Sequence, residues 1–122
     1  MKFDWSEELP LNCPPSQAKT ANNEVFYRLC NYPVSDKDFL SHRALSPTKV
    51  FSVSECQARS LSIMDTLESA KKLLLLPSLK GKKIVKIHLI EENGLILQTG
   101  KPNHFSWWKS QNFDFSTCPI VG

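Results

Sequence analysis

Ser60-Leu61-Ser62-Ile63-Met64-Asp65-Thr66-Leu67-Glu68-Ser69-Ala70 is the stretch on which the fold turns. Its first five residues alternate, with Leu61 and Ile63 on one side and Ser60 and Ser62 on the other, the period of a half-buried strand. A helix start follows, with Asp65 as the expected N-cap and Glu68 three residues on. Leu67, Ala70, Leu73 and Leu74 then recur at helical spacing and give one apolar stripe, which Pro77 ends. A strand that runs straight into a one-sided helix predicts a mixed α+β domain.

Upstream, Val25-Phe26-Tyr27-Arg28-Leu29-Cys30 is rich in aromatic and β-branched residues and reads as a strand. Period two sets Val25, Tyr27 and Leu29 against Phe26, Arg28 and Cys30. After Asn31-Tyr32-Pro33, Ser35 is the expected cap of a short helix that carries Phe39 and Leu40 and stops before Pro47. Val50, Phe51 and Val53 fit either a short strand or an irregular buried segment. Residues 1–23, with Pro10, Pro14 and Pro15, read as an extended arm that Trp5 and Leu9 could pin to a domain of residues 24–122.

Downstream, Lys83 to Ile90 is the clearest strand, with Val85, Ile87 and Leu89 facing one way and Lys86 and His88 the other. Glu91-Glu92-Asn93-Gly94 predicts a tight hairpin, because Asn-Gly tolerates positive φ, and Leu95 to Gln98 is then the partner strand. A Gly/Pro loop leads to His104-Phe105-Ser106-Trp107-Trp108 and an irregular end. The expected fold is a single α+β domain, with a small, mostly antiparallel sheet of four to five strands and two helices packed on it.

With 122 residues the chain suits one domain, and its composition of 41% hydrophobic and 22% charged residues supports a packed core over disorder. No apolar run is long enough to cross a bilayer, and Met1 to Glu8 lacks a basic stretch followed by an apolar one, so a cytoplasmic setting without membrane contact is expected. In that setting Cys13, Cys30, Cys56 and Cys118 are expected to be thiols. They lie scattered, with no paired spacing of the kind that marks a structural zinc site, so no metal is expected. A net charge of +3 falls short of what would argue for nucleic acid by itself. The lysine run Lys71, Lys72, Lys80, Lys82, Lys83 and Lys86 carries no interleaved aromatics and reads first as a solvated face.

The candidate site residues are Arg28, His42, Ser62, His104, Trp107 and Trp108. Adjacent tryptophans in a strand point opposite ways, so one of the two is expected at a surface or cleft. There, beside His104 and Lys109, it would make a stacking platform. The competing reading has both rings cover the open end of the sheet. His42 in Ser41-His42-Arg43 is accounted for by helix-end electrostatics and is also a candidate anion contact. His88 on a polar strand face lacks an assignable partner for proton transfer. Neither Cys30 nor Cys56 has an assignable base, and no phosphate loop, dinucleotide fingerprint or hydrolase elbow occurs.

The order of these elements resembles the ADP-ribosyltransferase-like fold, in the small versions found in bacterial toxins and effectors. The residues that carry the resemblance are Phe26-Tyr27-Arg28 at the end of the first strand and Ser60 to Ala70 as serine-bearing strand and capped helix. A lysine-rich break before a strand and hairpin completes the pattern, which covers residues 24–98. It implies that Arg28 holds NAD and that Ser62, or Ser60, supports the nicotinamide ribose. A late-strand glutamate would polarise the ribose hydroxyl, yet Glu91 and Glu92 fall in a predicted turn and no glutamate follows them. Two functions are therefore expected to compete. One is an NAD- or nucleotide-binding domain in which the candidate residues share a cleft. The other is a non-catalytic protein-interaction module with an exposed tryptophan patch.

Overall fold

The structure is a computed structural model that describes residues 3–122, so the first two residues of the expected arm lie outside the described residues. The α+β class is as expected, with more elements than the sequence suggests. The strands are β1 (Lys19–Thr20), β2 (Glu24–Cys30), β3 (Leu61–Met64), β4 (Lys83–Leu89), β5 (Gly94–Gln98), β6 (His104–Lys109) and β7 (Ile120–Val121). They form one antiparallel sheet in the order β1-β5-β6-β3-β2-β4-β7. The helices are α1 (His42–Leu45), α2 (Glu55–Ala58) and α3 (Leu67–Leu73). The two additional strands, β1 and β7, are two-residue edges too short to carry a period-two signal.

The expected hairpin between Lys83–Ile90 and Leu95–Gln98 does not form. β4 pairs with β2 and β7, whereas β5 pairs with β6 and β1. β4 and β5 stand four places apart in the sheet, about 19 Å if it were flat. The five steps from Leu89 to Gly94 reach at most ~17 Å fully extended, and Glu91–Asn93 is wound as a 3-10 turn. The sheet must therefore curl until its two halves face each other. Gly94 sits at that corner with φ 118°, and a Cβ there would lie 2.0 Å from the Trp108 carbonyl oxygen, so backbone crowding demands glycine. The Asn-Gly signal marks a chain reversal between sheet halves instead of a hairpin.

The inner face of the curl holds the main core: Phe26, Leu61, Ile63, Val85, Ile87, Leu89, Ile96 and Trp107, closed by Phe39 and Phe113. The alternation read from β2, β3 and β4 assigns these faces correctly. On the outer face, α3 covers Tyr27, Leu29, Met64 and Ile84 with Leu67, Ala70, Leu73 and Leu74. Its N-cap is Thr66, whose hydroxyl accepts from Ser69 N, one residue beyond the expected Asp65. Asp65 instead accepts from the Asn103 side chain at 2.8 Å. The helix expected after Ser35 is divided into a 3-10 turn, Asp36–Phe39, and α1. Val50, Phe51 and Val53 lie outside any strand, with Arg43 stacked over Phe51 at 4.8 Å.

The N-terminal arm is bound along its length. Trp5 bridges to Ser110, Ser6 N donates to the Lys109 carbonyl, and Glu7 accepts from both the backbone and hydroxyl of Ser41. Cys13 and Cys56 form a disulfide, which corrects the expectation that all four cysteines are thiols; Cys30 and Cys118 are free. Burial pushes the Cys30 thiol up to about 12, the pattern of a small core residue and the opposite of a nucleophile.

Candidate functional site

β2 and β3 are registered by a single pair, Tyr27 with Met64, before they separate. Past that point the ladder is replaced by a side chain. Arg28 donates from Nη1 to the Ser62 carbonyl and from Nε to the Asp38 carbonyl, both at 2.7 Å. The guanidinium thus ties two strands and the Asp36–Phe39 turn together where backbone pairing stops. Burial lowers its pKa, with Cys30 and Asp38 opposing, but arginine stays charged. Nη2 makes no hydrogen bond to the described residues, whereas Nε and Nη1 each make one.

A cleft of about 410 Å³ opens at this separation. Arg28, Lys37, Lys82, His42 and His104 supply its basic groups, and Tyr27, Leu45, Met64, Leu73 and Leu79 its apolar wall. Asp38 is the one carboxylate in the lining, and three N–H groups hold it: Oδ1 accepts from Asn31 N and Nδ2, and Oδ2 from Ser35 N. The cleft therefore presents a surplus of positive charge over an apolar floor. His42 sits at its open rim, where partial burial, then Arg28 and Lys49, lower its pKa and favour the neutral ring.

His104 stands across from Met64 on β6, and its ring reaches diagonally to Ser62 on β3. Its Nδ1 lies 2.9 Å from the Thr99 carbonyl oxygen and 3.2 Å from Thr99 Oγ1, and its Nε2 lies 3.0 Å from Ser62 Oγ. A carbonyl only accepts, so Nδ1 carries the ring proton and Nε2 accepts from the Ser62 hydroxyl.

Four of the six candidate residues, Arg28, His42, Ser62 and His104, line this one cleft. Trp107 and Trp108 do not. They are 0% and 2% exposed, which overturns the expected tryptophan platform and the exposed patch of the interaction-module reading. Both burials have a donor-by-donor explanation: Trp107 Nε1 donates to the Asn93 carbonyl at 2.9 Å and Trp108 Nε1 to the Cys56 carbonyl at 3.0 Å. Trp107 fills the inner core. Trp108, on the other face, is covered by Trp5 and Leu9 of the arm and by Arg59. Trp5 and Leu9 were expected to pin the arm, but nothing local in the chain names Trp108 as the ring they meet.

No protein-family model, curated protein or solved structure matches this chain.

Lys37, Asp38 and Thr99 escaped the sequence reading as site residues. Lys82 belongs to the lysine run that read as a solvated face, and Thr99 to a loop that carried no motif. Glu91 and Glu92 are exposed at the corner before β5, and neither lines the cleft. Among the described residues no helix is long and apolar enough to cross a membrane, and no group of three or more His, Cys, Asp or Glu side chains is placed to hold a metal ion.

Arg28→Met tests the wedge between β2 and β3. Two hydrogen bonds from a charged donor are lost and the Ser62 and Asp38 carbonyls lose their partners, so unfolding free energy is expected to fall by ~2 kcal/mol. Urea denaturation monitored by circular dichroism measures it. A fall below ~0.5 kcal/mol would mean that the guanidinium does not bridge the strands.

Proposed function

We propose that the cleft binds a nucleotide, with NAD the first ligand to test, and that it does so without transferring ADP-ribose. The supporting observation is the grouping of Arg28, Lys37 and Lys82 around one apolar-floored cleft whose lone carboxylate, Asp38, is held by three N–H groups. Phosphates match the cationic rim and a base or nicotinamide ring matches the apolar wall. The resemblance to ADP-ribosyltransferase-like domains points to the same ligand class through Arg28 and Ser62. Transfer is a weaker reading. That chemistry places a carboxylate beside a developing oxocarbenium, and Asp38 is held by three N–H groups.

The setting proposed with this function is an oxidising compartment in place of the expected cytoplasm, since protein disulfides persist mainly where thiols are not kept reduced.

Isothermal calorimetry with NAD, ADP and inorganic phosphate is the direct test. Binding of NAD and ADP is expected, with Lys37→Ala plus Lys82→Ala weakening it about tenfold or more, through loss of two charged contacts to phosphate. Lys37 is exposed and Lys82 half-buried, and neither makes a side-chain hydrogen bond to the described residues, so the variant should fold. Equal affinity in the double variant, or no heat with any of the three ligands, would remove this reading.

A further inference from the structure

The geometry points to Ser62 and His104 as a nucleophile–base pair that hydrolyses a short acyl ester of a phosphate-bearing alcohol. The proposal rests on the nucleotide reading for the phosphate end of its substrate, and on an independent observation for its chemistry. Three features coincide. Ser62 is exposed at the cleft wall, so its hydroxyl is open to a ligand. Its Oγ lies 3.0 Å from His104 Nε2, within the reach that base catalysis requires. The far side of the imidazole is fixed by Thr99, whose carbonyl at 2.9 Å leaves Nε2 as the free lone pair. A hydroxyl, a base and a group that orients the base form the arrangement by which serine is activated on unrelated folds. A backbone carbonyl here takes the place usually held by a carboxylate, and Thr99 Oγ1, 2.8 Å from Ser106 Oγ, anchors that loop to β6.

The steps balance with water as the second reactant. Ser62 Oγ bonds to the ester carbonyl carbon as its proton passes to His104 Nε2, and the carbonyl π bond moves onto oxygen. Arg28, which donates to the Ser62 carbonyl and lines the same cleft, would be the charged donor for that oxyanion. The C–O bond to the leaving alcohol then breaks, and the alcohol oxygen takes the proton from Nε2. Water, deprotonated by His104, attacks the acyl-serine. The acid leaves as Ser62 regains its proton. Lys37 and Lys82 would hold the phosphate of the alcohol, and the wall of Met64, Leu73 and Leu79 the acyl chain.

The test uses 4-nitrophenyl butyrate, which has no phosphate, and a fluorophosphonate probe read by mass spectrometry. Wild-type protein is expected to hydrolyse the ester above buffer and to carry the label on Ser62. Ser62→Ala and His104→Gln should each lower the rate by at least ~100-fold. Ser62→Ala, at an exposed position, should keep the unfolding midpoint. Wild-type hydrolysis no faster than buffer, an undiminished rate in Ser62→Ala, or label on another serine would each overturn the proposal. ADP binding without hydrolysis sinks the catalytic pair and leaves the nucleotide reading standing; hydrolysis without ADP binding does the reverse.

Discussion

Replacing Trp107 by alanine is expected to lower the unfolding free energy by about 4 kcal/mol, a large part of what a domain of ordinary stability possesses. The indole is 0% exposed at the centre of the inner core and meets Phe113 edge-on, with ring centroids 4.8 Å apart. Alanine leaves a cavity that the surrounding strands, held in register on both sides of β6, cannot collapse to fill. It also deprives the Asn93 carbonyl of its Nε1 donor at the corner where the chain passes between sheet halves. Trp107→Phe, which keeps most of the volume and loses the donor, should cost clearly less. Equilibrium urea denaturation of the three proteins gives the comparison. A loss below ~1 kcal/mol in Trp107→Ala would mean that the sheet does not close around this ring.

The second large effect belongs to the disulfide. Cys13 and Cys56 are separated by 43 positions, and closing a loop of that size removes enough chain entropy from the unfolded state to stabilise the fold by ~4 kcal/mol in the chain-entropy treatment. The double variant Cys13→Ser plus Cys56→Ser is therefore expected to melt ~15 °C lower, at roughly 4 °C per kcal/mol for a chain of this length. Differential scanning calorimetry measures the shift, and wild-type protein under reductant should follow the double variant. The arm that the bond restrains also roofs Trp108, so its fluorescence should move to the red as the arm loosens. A drop under ~4 °C would show that Trp5, Ser6 and Glu7 hold the arm without help.

Alternation in β2, β3 and β4 and the helical stripe from Leu67 to Leu74 were enough to assign class, faces and the packing of α3, because burial on one side forces those periods locally. Arg28, His42, Ser62 and His104 were legible as candidate residues, since their chemistry is written in their type. Their meeting in one cleft was not derivable from spacing, and neither were Lys37, Lys82 and Thr99, which come from a turn, a lysine-rich break and a loop. Two of the readings that failed, the β4–β5 hairpin and the exposed indole, share one cause. Each depended on which segments lie across from one another in space. Asn93-Gly94 encodes a reversal but not the partner to which the reversed chain returns.

What the chain order alone determined, then, is everything set within a few residues of itself: strand period, helix stripe and identity of the polar groups. The curled sheet decided the rest. It carries β5 away from β4, brings the arm over Trp108, and parts β2 from β3 after one registered pair so that Arg28 fills the gap and a cationic cleft opens beside Ser62 and His104. Long-range pairing does this work because backbone hydrogen bonds carry no residue label. The choice among strand partners is made only by the total burial that each arrangement achieves.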